Sequence, residues 1–578
     1  MTPFLKISTR SSGLMSSPKA PVNAKSVAAM LIAGLREAGV EVCFGIPGRH
    51  VQLMFHGMPA AGIRAVLARH EQGAVYMADG YARASGQPAM VAATAGPGAA
   101  NMVTGVANAY ADGVPVVCLT GAPARHFGCR GTFQELGDDH TGVTPAIFAP
   151  ITRYNAQLSH PSQLEPAVRL ALNGLNAGPV NLTIPADVLD APSKAVRPSS
   201  RVLAATVPDA GAVAEAARLL TEFPDALILA GRGAIGAREA LTALAEKLQI
   251  PVVTTVHGRG AIDEEHPLAL GPQGFSASHW AERYLGDRRP AVVLAVGTSM
   301  REISTNVYSD VFAGTEALIH CTKDATMIGR HYPATVAVAS DAEAFLKAVA
   351  AAVEPRVPNA DLAAFKATTP RFDDAGLADG PGRISPRRVV ESVRQALRET
   401  DMLFVDTGNA IPWTLRYFPV RQPGTYFASV HLAAMGWGVA ASVGAQLARP
   451  TDRVVAIVGD GCFQMAGMEV ATAVQYGLPV VWVVLNDARL NMVYQGTEGY
   501  YGEAVVNTTL SPIDCARIAE GLGAVGFRVD DPADLDAAIA QALACGRPAV
   551  VDVAIDPELR PSMAGRFEAI RCFEGRQP

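Results

Sequence analysis

Short apolar runs alternate with longer segments of helical periodicity along the chain from Val22 onward. The runs near Val42–Phe44 and Ala89–Thr94 have the length of buried strands, whereas Glu71–Ala84 and the segment after Gly98 have the length and spacing of helices. Apolar strands without polar alternation are typical of parallel sheets that helices cover on both faces. The pattern therefore predicts a parallel α/β layer at the start of the chain.

The same pattern restarts twice, at Ala226–Ala230 and at Met402–Val405. Polar stretches that contain proline, Ala191–Val207 and Glu354–Pro386, separate the three repeats and are the predicted linkers. The predicted fold class is α/β, with three doubly wound parallel-sheet domains. The predicted organisation is a disordered leader at 1–21, domains at 22–190, 205–353 and 383–556, and a C-terminal tail at 557–578.

Composition narrows the classes of protein that fit this pattern. The 578 residues are 49% hydrophobic and 18% charged, which is typical of a globular chain and not of a disordered one. A net charge of −6 without any basic run argues against nucleic acid as a partner. No apolar stretch has the length of a membrane span, and the eight cysteines are scattered without a CxxC pair. We therefore expect reduced thiols, no membrane partner and a cytoplasmic protein.

Two aspartates follow neighbouring predicted strands in the third domain. The strand Arg453–Val458 ends in a Gly-Asp-Gly triplet centred on Asp460, and the strand Val480–Leu485 is followed by Asp487. Adjacent parallel strands end at the same edge of a sheet, so both carboxylates can bind one cation there. Oxygen ligands without nearby His or Cys favour Mg²⁺, and a diphosphate would complete its coordination. The triplet alone is equally typical of a simple turn between strand and helix.

The whole segment from Gly459 to Val493 resembles the metal and diphosphate motif of thiamine diphosphate enzymes. Within that family the chain is most similar to acetolactate synthases and related 2-oxoacid carboligases, over residues 22–556. The matching stretches are RHEQGA at 69–74, GPGAAN at 96–101, GTFQE at 131–135 and AMGWG at 434–438. The resemblance implies a pyrimidine-binding first domain, a central Rossmann-like domain, and a third domain that binds diphosphate and Mg²⁺.

The resemblance also implies which residues hold the cofactor and its metal. Asp460 matches the first metal ligand, Asp487 the second, and the backbone carbonyl of Arg489 the third. Asn486 is the alternative second ligand if the register of the match shifts by one residue. The other residues that match cofactor-binding positions are Gly408, Asn409, Met435, Gly459, Gly461, Cys462, Asn491 and Met492. Met435 matches the bulky side chain that supports the bent shape of thiamine diphosphate.

Two residues of the first domain match catalytic positions of the family. Glu71 matches the glutamate that contacts the pyrimidine ring of the cofactor and promotes its reactive tautomer. Without the resemblance, Glu71 would be interpreted as a carboxylate that is favoured at the start of a helix. Gln134 matches a glutamine that donates to a carbonyl or carboxylate near the reacting carbon, with a capping or surface role as the alternative.

The implied reaction is decarboxylation of a 2-oxoacid, pyruvate being the expected donor, followed by carboligation of the acyl carbanion to an acceptor carbonyl. A simple 2-oxoacid decarboxylase or lyase, or acyl transfer to a non-carbonyl acceptor, is the alternative. Gly496 stands where biosynthetic acetolactate synthases carry a pocket tryptophan, which implies an acceptor pocket of different shape. FAD is not favoured, because the turn after Ala230 lacks GxGxxG spacing and its acidic partner. The implied assembly is a homodimer or homotetramer with active sites at the subunit interface.

Overall fold

The computed structural model describes residues 24–136, 142–197, 206–286, 288–373, 376–380, 383–503 and 507–575. The predicted disordered leader at 1–21 lies outside these residues. Three sheets, each of six parallel strands, organise these described residues, which confirms the predicted fold class.

The first sheet has the strand order β2-β1-β3-β4-β6-β5. Its strands are β1 Val42–Gly45, β2 Arg64–Leu67, β3 Ala89–Ala93, β4 Val116–Ala122, β5 Tyr154–Gln157 and β6 Val180–Pro185. Its helices are α1 Val27–Glu37, α2 Gln52–Ala61, α3 Glu71–Ser85, α4 Pro97–Asn101, α5 Val103–Asp112, α6 Val143–Phe148, α7 Leu164–Gly174 and α8 Ala186–Asp190.

The second sheet has the order β12-β11-β10-β7-β8-β9 and forms its own apolar core. Its strands are β7 Ala226–Ala230, β8 Val252–Thr254, β9 Ala269–Pro272, β10 Val292–Val296, β11 Ala317–Cys321 and β12 Val336–Val338. Its helices are α9 Ala210–Glu222, α10 Arg238–Leu248, α11 His279–Gly286, α12 Glu302–Thr305, α13 Asp310–Ala313, α14 Ala342–Ala352 and α15 Ala360–Thr368.

The third sheet has the order β14-β13-β15-β16-β18-β17. Its strands are β13 Met402–Val405, β14 Tyr426–Ala428, β15 Val454–Gly459, β16 Val481–Asn486, β17 Val525–Val529 and β18 Ala549–Ala554. Its helices are α16 Pro386–Ala396, α17 Ala410–Tyr417, α18 Trp437–Ala448, α19 Asp460–Ala466, α20 Val470–Tyr476, α21 Asn491–Tyr501, α22 Cys515–Gly521, α23 Leu535–Ala544 and, in the C-terminal segment, α24 Arg566–Phe573.

The first and third domains share one apolar core, built around the contact of α3 with α18. Glycines let the two backbones approach closely. A Cβ atom on Gly80 would lie 1.9 Å from the carbonyl oxygen of Ala441, and one on Gly444 would lie 1.8 Å from that of Met77. Because neither helix can carry a side chain at these points, the small residues fix how the two domains pack.

One predicted linker contains regular structure. Residues 354–386 include α15, whose Leu362 is buried in the core of the second domain and whose Phe365 ring makes an edge contact with Tyr284. Within the described residues, no helix is both long and apolar enough to cross a membrane.

Candidate functional site

The structure places Asp460 and Asp487 at the same edge of the third sheet. Strands β15 and β16 are neighbours, with Val458 paired to Val484 and Gly459 to Leu485, and each aspartate follows the last residue of its strand. Asp460 is also the first residue of α19, where the amide dipoles favour a negative charge. The parallel topology therefore brings the two carboxyl groups together from positions 27 residues apart in the chain.

Burial and the neighbouring Asp487 disfavour the charge on Asp460. Asp460 is only 2% exposed, and its burial, followed by the charge of Asp487, raises the pKa of its carboxyl to about 7. Burial raises the pKa of Asp487 to about 6, against hydrogen bonds from the Asn491 amide (2.7 Å) and the Arg489 N–H (3.2 Å). A cation between them would remove this repulsion.

Unpaired oxygens show that these residues fit a divalent cation. Asp460 Oδ1 accepts from the Gly461 N–H at 2.8 Å, but its buried Oδ2 has no hydrogen-bond partner among the described residues, and the same holds for Asn491 Oδ1. The Arg489 carbonyl accepts one hydrogen bond, from the Asn491 N–H at 2.8 Å, and keeps a second lone pair. Carboxylate and carbonyl oxygens are the ligands that Mg²⁺ prefers.

Asn486 is engaged elsewhere in the structure. Its amide nitrogen donates to the Ile513 carbonyl at 3.0 Å and to Asp552 at 2.9 Å, on the side of β18. This arrangement favours Asp487 over Asn486 as the second candidate ligand.

Met435 lies in the loop before α18, directly against the Asp460 turn. A Cβ on Gly461 would lie 3.3 Å from Met435 Cε, so the methionine side chain reaches that turn. Asp406, which follows β13, holds the loop: its buried carboxylate accepts from the Gly436 N–H at 3.1 Å and the Val439 N–H at 3.3 Å. Burial raises the pKa of Asp406 to about 6.

The remaining predicted cofactor residues of this domain surround the same edge. Gly408 has a φ of +96°, and a Cβ at either Gly408 or Gly459 would meet nothing within 4 Å, which leaves open space for a phosphate group beside the backbone. Asn409 donates to Gln495 at 3.1 Å, and the Cys462 thiol contacts the Thr407 carbonyl at 3.5 Å. Met492 is partly exposed in the first turn of α21.

Glu71 begins α3 in the first domain and is buried, 7% exposed. Asn101 donates to its Oε2 at 3.0 Å, and Gly98 passes so close that a Cβ there would lie 3.2 Å from Oε1. Gln134 flanks the other end of this glycine turn, since a Cβ on Gly96 would lie 2.6 Å from the Gln134 carbonyl oxygen. The backbone φ of Gln134 is +64°, which is uncommon for a residue other than glycine and marks a strained loop.

The predicted site residues thus form two groups. Glu71 and Gln134 lie together in the first domain, and the aspartates lie with Met435 in the third; no hydrogen bond within the described parts of the chain joins Glu71 to Asp460 or Asp487.

Sequence reasoning missed three supporting residues: Asn101, Asp406 and Glu469. Glu469 accepts from the Arg69 and His70 N–H groups at 3.0–3.2 Å and so fixes the start of α3. The only local signal was the position of Asn101 in the GPGAAN stretch and of Asp406 directly after a strand.

Family models and curated proteins match most of the chain. Profiles of thiamine pyrophosphate enzyme domains match residues 25–143 (N-terminal TPP binding domain), 213–349 (central domain) and 406–553 (C-terminal TPP binding domain). A Mycobacterium tuberculosis protein assigned as an acetolactate synthase large subunit is 35% identical over 92% of this chain and 97% of its own length. A protein of Methanocaldococcus jannaschii with the same assignment is 34% identical over 91% of both chains. The acetolactate synthase of Mycobacterium leprae is 34% identical over 97% of this chain and 92% of its own length.

Proposed function

The chain belongs to the thiamine pyrophosphate enzymes, and on this premise we propose that it decarboxylates a 2-oxoacid, with pyruvate as donor, and joins the acyl group to an acceptor carbonyl. It is acetolactate synthase-like in sequence. The observation that supports the proposal is the pair of a buried Asp460 and a half-buried Asp487 at one sheet edge, with an Asp460 carboxylate oxygen that has no hydrogen-bond partner among the described residues. A purely structural role would leave no reason to bury the Asp460 carboxyl group beside a second acidic group.

In this proposal Asp460, Asp487 and the Arg489 carbonyl hold Mg²⁺, and the open backbone at Gly408 and Gly459 accommodates the diphosphate. Thiamine diphosphate, when bound, supplies the electron sink for the loss of CO₂. Met435 supports the ring system from below.

Glu71 is proposed to exchange a proton with the pyrimidine ring nitrogen. Asn101 occupies its Oε2, which leaves Oε1 for that exchange, and burial keeps water away from the carboxyl group. Gln134, held in its strained loop against the Gly96 turn, is proposed to donate from its side-chain amide to the substrate carbonyl or carboxylate.

We further propose that two copies of the chain complete each site, in a homodimer or homotetramer. In the described part of one chain no hydrogen bond joins Glu71 to the two aspartates. Large apolar side chains lie exposed beside both groups of site residues: Phe133 next to Gln134, and Met465 and Met468 shortly after Asp460 (75%, 69% and 56% exposed). Exposed apolar groups of this size favour burial against a partner.

The direct test supplies the purified protein with Mg²⁺, thiamine diphosphate and pyruvate, and measures both CO₂ release and the products by mass spectrometry. The proposal expects CO₂ together with a new C–C bond. Acetaldehyde as the sole product would favour a simple decarboxylase, and a product formed only with an amine or other non-carbonyl acceptor would favour acyl transfer. No CO₂ release from pyruvate or other 2-oxoacids by cofactor-loaded protein would refute the proposal.

The shared site can be tested separately by mixing two inactive variants, Glu71→Gln and Asp460→Asn. If each site combines Glu71 of one copy with Asp460 of the other, mixed dimers contain one intact site, and the mixture regains up to about a quarter of wild-type activity by statistical exchange. Either variant alone is the control. Failure of the mixture to gain activity, with subunit exchange shown by labelled protein, would place both residues in one copy's site.

A further inference from the structure

The loop that carries Met435 is held at both of its ends by buried aspartates. It comprises residues 429–436, between β14 and α18. Asp406 holds its end, through the Gly436 and Val439 N–H groups. The backbone groups of residues 431–433 make no hydrogen bond within the described part of the chain. The place of Met435 therefore also depends on what holds the beginning of the loop.

Backbone strain in the middle of this loop shows that its conformation is enforced from outside. Ala433, two residues before Met435, has a φ of +55°. A residue with a side chain keeps this conformation only where the surrounding contacts impose it. Gly436 has a φ of +85°, and a Cβ there would lie 2.7 Å from the Cβ of Ala466 in α19. The loop is thus strained and packs against the helix that begins at Asp460.

Asp112, the last residue of α5 in the first domain, holds the beginning of the loop. Its Oδ1 lies 2.6 Å from His431 Nδ1, and Ser429 Oγ lies 2.9 Å from its Oδ2. Arg83 donates to the same Oδ2 at 2.7 Å. The Asp112 side chain is fully buried and that of His431 is 17% exposed. The first domain therefore fixes the carboxylate to which the loop of the third domain binds.

The groups around Asp112 favour a hydrogen bond from His431. Burial opposes the charge on Asp112, but His257, Arg83 and His431 together hold the pKa of its carboxyl well below its ordinary value. An ionised carboxylate only accepts, so His431 Nδ1 donates. Asp112, His257 and His431 also lie close enough to hold a metal ion. However, Arg83 occupies Oδ2, and His257 Nε2 donates to the Ala428 carbonyl at 3.1 Å, which favours a hydrogen-bonded cluster over a metal site.

We propose that the Asp112–His431 pair positions Met435 against the cofactor, so that a residue of the first domain controls the conformation of a cofactor that the third domain of the same chain binds. This inference rests on the proposed function, which places thiamine diphosphate on Met435. The pair and Asp406 enclose the strained Ala433 from both sides. Without the pair, Ala433 can relax and Met435 can leave the Gly461 turn that it now contacts. His431 is thus a positioning residue that acts through Met435.

Circular dichroism of the bound cofactor tests this role. Thiamine diphosphate has no chiral centre, so the near-ultraviolet signal that it gains on binding comes from the conformation that the protein imposes. In His431→Leu, at saturating cofactor and Mg²⁺, we expect this signal to fall at least twofold, and the dissociation constant of the cofactor to rise roughly tenfold. His431→Asn, whose amide nitrogen can donate in place of Nδ1, should restore both to near the wild-type values. A merely structural role would lower the melting temperature and leave the signal at saturation unchanged, which would overturn the proposal.

Two further variants make the test specific. His266→Leu is the matched control, because His266 is 18% exposed and pairs with Glu246 at 3.1 Å in the second domain. It should leave the signal and the affinity of the cofactor unchanged, and an effect as large as that of His431→Leu would count against the proposal. Met435→Ala tests whether His431 acts through the methionine. In that background His431→Leu should change the cofactor affinity less than twofold, and a full tenfold loss would show that the pair does not act through Met435.

Measuring binding and turnover side by side separates this inference from the proposed function. If the wild type binds thiamine diphosphate but releases no CO₂ from pyruvate, the proposed reaction fails. Loss of the signal in His431→Leu and its return in His431→Asn would still support the positioning pair. If the wild type turns over pyruvate and His431→Leu matches it in signal, cofactor affinity and kcat, the reaction stands and the positioning pair is refuted.

Discussion

Replacing Asp460 by asparagine should stabilise the protein when it is free of metal and cofactor. Asparagine keeps the oxygen that accepts from the Gly461 N–H, and it removes a charge that is buried beside Asp487. The new amide hydrogens can also donate to Asp487. The substitution therefore relieves the repulsion that, in the proposed function, Mg²⁺ relieves in the wild type.

The size and the pH window follow from the pKa of Asp460, which is raised from an ordinary value of 3.8 to about 7. A pKa change of one corresponds to about 1.4 kcal/mol, so the ionised carboxylate destabilises the metal-free fold by up to about 4 kcal/mol. The folded state binds the proton more tightly than the unfolded state, and wild-type stability therefore falls as pH rises from about 4 to 7. At pH 8 we expect the variant to be more stable by about 2 kcal/mol or more.

Differential scanning calorimetry of metal-free protein at pH 4, 6 and 8 measures this difference. The first transition of Asp460→Asn should lie roughly 4–8 °C above that of the wild type at pH 8, and the gap should close toward pH 4. Mg²⁺ with thiamine diphosphate should raise the wild-type transition and leave the variant unchanged.

Asp552→Asn is the control, and we expect it to change the stability in the opposite direction. Asp552 is fully buried, but it accepts from the Cys515 N–H at 2.8 Å and from Arg528 Nη1 at 2.9 Å, so its neutralisation should destabilise the protein with or without metal. The metal assignment is refuted if Asp460→Asn also lowers the transition temperature of metal-free protein at pH 8. It is equally refuted if Mg²⁺ and cofactor raise the transition temperature of the variant as much as that of the wild type.

Three further substitutions test the packing around the site. Gly80→Ala should lower the melting temperature by an amount equivalent to about 3 kcal/mol or more, because α3 and α18 must separate, whereas Gly236→Ala, where a Cβ meets nothing within 4 Å, should change it little. Asp112→Asn should destabilise by about 2–4 kcal/mol in thermal unfolding, since the charge partner of Arg83 at 2.7 Å is lost; an unchanged transition would contradict this. Asp406→Ala should weaken thiamine diphosphate binding about tenfold by calorimetry because the Met435 loop loses its anchor, and unchanged affinity would show that Asp406 does not position that loop.

Strands β1, β3, β7 and β13 could be predicted from the sequence because each is a short apolar run that is buried along its whole length. The predicted strand Ala226–Ala230 has the observed bounds, and so has Met402–Val405. Helix α15 escaped prediction for a physical reason. Within it only Leu362 is fully buried, so it lacks the apolar stripe of a typical surface helix, and its place depends on Tyr284, about 80 residues earlier in the chain.

In the candidate site, too, some residues could be predicted from the sequence and others could not. Asp460 and Asp487 were predictable because a local rule, strand end followed by acid, combines with a general rule of parallel sheets. The contact of Asn101 with Glu71 and that of Asp406 with the Gly436 N–H depend on loops from different strands meeting in space. No local pattern encodes those meetings, so the structure was needed to find them.

Departures from good packing coincide with the predicted site residues, which is itself an argument for function. Asp460 Oδ2 is buried and has no hydrogen-bond partner in the part of the chain that the structure describes, and Gln134 has a strained backbone, although an apolar residue at the first place and glycine at the second would be more stable. A fold under selection for stability alone would lose both features, since single substitutions remove them. Both lie at residues to which the proposed function assigns the cation or the substrate, and in that proposal binding at the site supplies the missing stabilisation.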